Sequence, residues 1–373
     1  MRAIAVFPDS REVKLIETVE PVITRPGQVK LRMLDVGICG TDKEISSFVY
    51  GSPPPGERYF VLGHEALGEV VEVSPDVHDL APGDLVIPAV RRPCPHARCR
   101  PCRAGHQDFC ETGDFIEHGI KGAHGYLAEF VVDDASYMHL VPRELREVAV
   151  LVEPLTIAEK PESQIRALMQ RRPPWVDRDV ADRAIIGKGY HALILGAGPV
   201  GILGAMTFGE AGFTTSIYSR GRPPSARVDV AQMIGAKYLA SEDVPVEAII
   251  EHVGAIDLVY EAVGHPVLAL EVLHQLGPNG IYVLTGVPGP HAPFKADPAM
   301  LFRDMVLKNQ VVLGTVNAGS QDFAAAIADL QTFYRRWPDA LTTLMDTRTP
   351  LDQAVERIMS GPARIKTIVS CQS

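Results

Sequence analysis

The rhythm of apolar positions changes near residue 155, and that change divides the chain. Before it, short runs at 28–34, 68–73, 84–87 and 126–132 are broken by Gly and Pro. Period-two alternation bounded by turn residues predicts strands, so residues 1 to about 155 are expected to form a compact β-rich barrel. Residues 162–170 (ESQIRALMQ) carry a helical period that Arg171-Arg172-Pro173-Pro174 ends, and the polar stretch 173–190 reads as a connector. Nearly continuous apolar runs follow at 192–195, 214–218, 237–239, 258–260, 281–284 and 311–313, separated by helical stretches such as 200–211 and 265–276. Regular strand–helix alternation of this kind predicts a doubly wound parallel sheet covered on both faces. An amphipathic helix at 322–334 and a last strand at 366–369 are expected to pack back on the first domain. The fold class is therefore α/β, with domains at 1–188 and 189–308 and a returning tail at 309–373.

Composition narrows the function. At 373 residues the chain is too long for one compact core. A net charge of −10 argues against nucleic acid or an anionic membrane as partner. No apolar run has the length of a signal peptide or a membrane span, so a cytoplasmic protein is expected. In that compartment the six Cys suit metal ligation better than disulfides.

Three patterns carry candidate chemistry. The first is Gly196-Ala197-Gly198-Pro199-Val200-Gly201, a G-x-G-x-x-G directly after an apolar strand and opening a helix. The first Gly turns the chain, the second admits a pyrophosphate and the third lets helix and strand pack closely. Pro199 fits the first helical turn, where no N–H is needed. The second strand ends at Ser219, followed by Arg220 and Arg222, and the next acid is Asp229. An NAD site wants a carboxylate there for the ribose, whereas two Arg and a Ser suit a 2′-phosphate. NADP is expected to be preferred, with NAD also usable. The second pattern is Cys94-x4-Cys99-x2-Cys102-x7-Cys110, four thiols in one short loop, which suits a closed structural zinc site. His96 is an alternative ligand to Cys94, and Cys371 receives no role. The third is Gly63-His64-Glu65, with Cys39 before it in Gly37-Ile38-Cys39-Gly40-Thr41-Asp42 and Glu153-Pro154 after it.

Taken in this order, these motifs resemble the zinc-dependent medium-chain dehydrogenase/reductase superfamily over nearly the whole chain. Within it, the chain is most similar to the glucose dehydrogenase branch. That likeness is carried by Gln107-Asp108-Phe109-Cys110-Glu111-Thr112-Gly113, Glu117, Glu153-Pro154-Leu155 with Glu159-Lys160, and Gly314-Thr315-Val316-Asn317. Two departures from the superfamily pattern are Glu153, where alcohol dehydrogenases usually carry Cys, and a wider Cys94–Cys99 spacing.

The resemblance implies a GroES-like catalytic domain and a Rossmann domain. It implies catalytic zinc among Cys39, His64 and Glu153, with Glu65 on or beside the metal. It also implies a proton relay through Thr41, and sugar-hydroxyl contacts from Thr41, Glu117, Glu153 and Asn317. Asp114, His118 and His124 are polar neighbours without a ranked role. The implied reaction is oxidation of an aldose, D-glucose foremost, at C1 to the lactone with hydride transfer to NADP. A zinc-dependent polyol, threonine or alcohol dehydrogenase is the alternative, and a non-catalytic NADPH-binding protein is a third. Pairing of strand 311–313 across a two-fold, as in the superfamily, implies a homodimer or homotetramer.

Overall fold

The computed structural model describes residues 1–172, 186–289, 292–359 and 365–372. These form two compact units, one of residues 1–156 with 317–373 and one of residues 157–316. Both boundaries differ from those read at 188/189 and 308/309. The first lies inside the helix Val152–Met169, because helical structure begins ten residues before the predicted start at 162. The Glu153-Pro154 pair resembles a loop, but Pro in a first helical turn sacrifices no hydrogen bond. The second boundary follows the strand Val311–Gly314, which is the edge of the parallel sheet. Most of the 173–190 connector falls outside the described residues.

The first unit is β-rich, as expected. Its largest sheet orders Met138–Val141, Leu85–Pro88, Glu65–Val73, Gln28–Gly37, Thr367–Ser370 and Thr347–Pro350, with Phe130–Asp134 also pairing to Gln28–Gly37. The run read at 126–132 therefore becomes a strand only from Phe130; Tyr126 and Leu127 are fully buried in the approach to it. Smaller sheets join Arg2–Phe7 to its neighbours and Arg91–Arg92 to Ile116–His118 and Gly122–Ala123. The core is a continuous apolar cluster that includes Ile4, Leu31, Met33, Val36, Phe60, Val86 and Val369. The last strand runs antiparallel to Gln28–Gly37, with Ile368 opposite Gly37, so the chain's end returns to the first domain.

The second unit is a six-stranded sheet in the order Lys237–Ala240, Thr214–Ser219, His191–Leu195, Ile256–Glu261, Leu276–Leu284, Val311–Gly314. All five pairings are parallel. Each of the six predicted strands is present. In the central strand, Ala192, Leu193, Ile194 and Leu195 are all fully buried, so both faces of the sheet are covered. The order reverses direction beside His191–Leu195, which places the glycine loop at the switch point where open α/β sheets bind ligands.

Candidate active site

Cys39 stands at the N-cap of a short helix, Gly40–Ser46. Its backbone N–H donates to Asp42 Oδ2 at 2.8 Å, and its thiol lies 3.9 Å from Thr41 Oγ1. The strand Gln28–Gly37 delivers Cys39 at one end, and the antiparallel strand that starts at Glu65 sets Glu65 directly opposite Gly37. Thiol, imidazole and carboxylate of Cys39, His64 and Glu65 thereby offer ligand atoms within 4.8 Å of one another.

Glu153, on the first turn of its helix, is buried beside this trio but is not within the same 4.8 Å set. Burial pushes its carboxyl up to about 7, and the Glu65 charge pushes in the same direction against the opposing pull of His64. Asp42, fully buried, faces His64 Nδ1 at 3.4 Å, which leaves Nε2 for a metal. Burial disfavours charge on His64, but Asp42 and Cys39 outweigh it and hold the imidazole well above its usual range.

Sequence reading missed Lys366. Its buried ammonium pairs with Glu65 Oε2 and donates to the Ile38 carbonyl at 3.1 Å. Its signal was a charged residue heading the apolar last strand. Gly37 is where this pair passes closest to backbone: a Cβ there would overlap Glu65 Oε2 and stand 2.9 Å from Lys366 Cε. Around one Lys and one His the structure gathers Cys39, Asp42, Glu65 and Glu153. Such an excess of buried anionic donors fits a divalent cation, because a buried charge needs a counter-charge.

The four-Cys loop converges as predicted. All four Sγ atoms lie within 4.8 Å of one another, and Cys99 and Cys110 are 3.9 Å apart. Zinc–sulfur bonds of about 2.3 Å in a tetrahedron space the sulfurs about 3.8 Å apart, so the loop fits zinc. His96 is excluded from the set and pairs with Asp114 at 2.5 Å. His118 and His124 lie in the neighbouring turn, where His118 Nδ1 meets the His124 carbonyl.

Glu117 and Asn317 are 200 residues apart and meet at 3.0 Å, Nδ2 donating to Oε1. Tyr50, half-exposed, has its hydroxyl raised first by burial and then by Glu117, with His64 acting in the opposite direction.

In the second unit, Gly198 caps the helix Pro199–Glu210. A Cβ at Gly201 would overlap the Gly196 carbonyl oxygen, which is the close helix–strand approach predicted for the third glycine. The expectation that no acid stands near Ser219 needs correction. The turn after Lys237–Ala240 brings in Glu242, which accepts from Gly221 N–H at 2.9 Å, and Asp243, which accepts from Arg222 Nε at 2.7 Å. The next strand in the chain, paired in parallel beside Thr214–Ser219, brings these acids across from about 20 residues further on. Arg222 is thus engaged, while the Arg220 guanidinium has no hydrogen-bond or ion-pair partner among the described residues.

Comparison with known proteins follows the same lines. A family profile described as "Alcohol dehydrogenase GroES-like domain" matches residues 25–143. A second, "Glucose dehydrogenase C-terminus", matches residues 146–371, more than half of the chain. The chain belongs to the glucose dehydrogenase branch of the zinc-dependent medium-chain dehydrogenase/reductase superfamily. Members of this branch similar to it include glucose 1-dehydrogenase of Thermoproteus tenax, 37% identical with 100% of each chain covered. Glucose 1-dehydrogenase of Methanocella arvoryzae is 33% identical with 99% of each covered. Among solved structures, Haloferax mediterranei glucose dehydrogenase in complex with NADP, zinc and gluconolactone is 31% identical, covers 100% of both chains and has a TM-score of 0.87.

Proposed function

We propose that this chain is a zinc-dependent glucose 1-dehydrogenase that oxidises D-glucose at C1 to the lactone and reduces NADP. The observation that carries the reading is the Cys39–His64–Glu65 donor set, its His and Glu buried, with Glu153 beside it, in a chain of the glucose dehydrogenase branch. Cys39, His64 and Glu153 are assigned to hold the metal, with Glu65 kept beside it by Lys366. When bound, zinc supplies a Lewis acid that makes a sugar hydroxyl more acidic, and NADP supplies a nicotinamide that accepts hydride. Thr41 takes the proton from the C1 hydroxyl and passes it toward solvent. Glu117 accepts hydrogen bonds from the sugar, and Asn317 steadies that carboxylate. An aldose needs such polar partners, whereas a plain alcohol pocket would be apolar. The loop 196–201 holds the pyrophosphate, and Ser219 with Arg220 and Arg222 meets the 2′-phosphate.

Two further assignments complete the reading. No helix among the described residues is long and apolar enough to cross a membrane, and a cytoplasmic location is proposed. A second copy is proposed to pair on the edge strand Val311–Gly314, beside which Phe302, Val306 and Leu307 are more than 60% exposed. Light scattering of the purified protein checks this, and a monomer would refute it.

The function is tested by assaying the purified protein on aldoses, polyols, threonine and alcohols, with NADP and NAD, before and after chelation. NADP reduction by D-glucose, lost on chelation, is expected. Turnover of a polyol, threonine or alcohol with none on any aldose would replace the reading.

A further inference from the structure

Arg91 lies directly opposite Glu117 in the pairing of Arg91–Arg92 with Ile116–His118, so both side chains leave the same face of that ribbon. The ion pair is 7% and 6% exposed. Its geometry is unusual for two groups held only for stability. A guanidinium and a carboxylate in that role normally meet fork to fork, one N–H on each oxygen. Here Arg91 Nε and Nη2 both donate to Glu117 Oε1, each at 3.0 Å. Asn317 Nδ2 donates to the same oxygen at 3.0 Å, and Asn317 Oδ1 is occupied by the Ala318 N–H. Oε1 is therefore surrounded by donors, and among the described residues none donates to Oε2.

The guanidinium is itself immobilised. Nη1 donates to the Asp108 carbonyl at 3.2 Å, and the group stacks 3.7 Å over the Phe115 ring. Lys could not reproduce this hold, since an ammonium is a point charge without a planar fork.

We propose that Arg91 is a positioning residue for the aldose: it pins Oε1 of Glu117 so that Oε2 is presented as an acceptor to a sugar hydroxyl. The proposal rests on the reading of Glu117 as a sugar contact. In this view Asn317 steadies the carboxylate alongside Arg91, because its Nδ2 donates to the same oxygen. Arg91 stands outside both metal-donor sets and in the unit without the glycine loop, so its loss should weaken sugar binding and leave the chemical step in place.

The test uses the zinc-loaded full chain and reads glucose KM, kcat and zinc content. Arg91→Met should raise KM by about tenfold, the usual scale for losing a charge-assisted hydrogen bond, with kcat and zinc near wild type. Arg91→Lys should fall between the two, and it carries the test alone if Arg91→Met does not fold. Glu117→Ala should raise KM similarly, and Arg91→Met combined with it should add nothing. An unchanged KM in Glu117→Ala removes the sugar-contact reading and the proposal with it. A raised KM there with wild-type KM in both Arg91 variants overturns the proposal alone, as does a full additional penalty in the double variant.

Discussion

The first unit holds two sets of cysteine-based metal donors built in opposite ways. The loop at 94–110 collects four thiols within 17 residues, and among the described residues nothing from elsewhere enters the set. The Cys39–His64–Glu65 centre takes donors from two strand ends, recruits Glu153 from a helix, and is balanced by Lys366, 301 residues from Glu65. Four thiolates would fill a tetrahedral zinc completely, which suits a bracing role. The mixed centre carries more buried anionic donors than a tetrahedral metal needs, together with a Lys that holds one of them aside. Closure suits folding, and an adjustable surplus suits turnover.

This contrast can be broken experimentally. The largest effect is expected from Cys39→Ser: a fall in kcat of about a thousandfold, with zinc dropping from about two to about one per chain and little change in melting temperature. Retained activity would remove the mixed centre from the chemistry. Cys99→Ser should reverse the pattern, costing on the order of 3 kcal/mol in denaturant unfolding while active protein that remains folded keeps its KM. If its thermal stability matched wild type, the loop would not be a structural zinc site. Gly37→Ala should cost about 1–3 kcal/mol and lower kcat, because the new methyl must push Glu65 and Lys366 apart. Wild-type stability and kcat together would show that the pair is not packed against that backbone.

The smallest effect belongs to the cofactor unit, where the same distinction recurs between a local glycine loop and a ribose end assembled from two strands. Arg220→Ala should raise the KM for NADP about tenfold and change that for NAD little. Arg222→Ala should do less, because Asp243 already occupies its guanidinium. Equal losses for both cofactors in Arg220→Ala would withdraw the 2′-phosphate assignment.

Elements whose cause is local were legible in the residues alone. The central parallel strands follow from uninterrupted apolar runs, because strands buried on both faces have no polar side to show. The cysteine and glycine loops follow from spacing, because the thiols and the glycines that define them each lie within one short stretch of chain. The start of the helix Val152–Met169 was less visible, since a Glu-Pro pair serves a loop and a first helical turn equally well.

What the tertiary structure alone decided is which distant charges meet. Strand pairing set Glu65 against Gly37 and brought the chain's last strand beside both, and so put Lys366 on Glu65. A two-residue ribbon set Arg91 opposite Glu117, and a return of the chain brought Asn317 to the same oxygen. A neighbouring strand placed Glu242 and Asp243 beside the arginines that had seemed free of acids. The sequence by itself pointed to the four-Cys loop, the glycine loop and the strand–helix alternation of the second unit, because short-range spacing encodes them, whereas the mixed donor set was reached only through the resemblance. It did not determine how each charge is balanced, because that balance is struck between residues from about twenty to about three hundred positions apart that only the packing of strands and turns brings together.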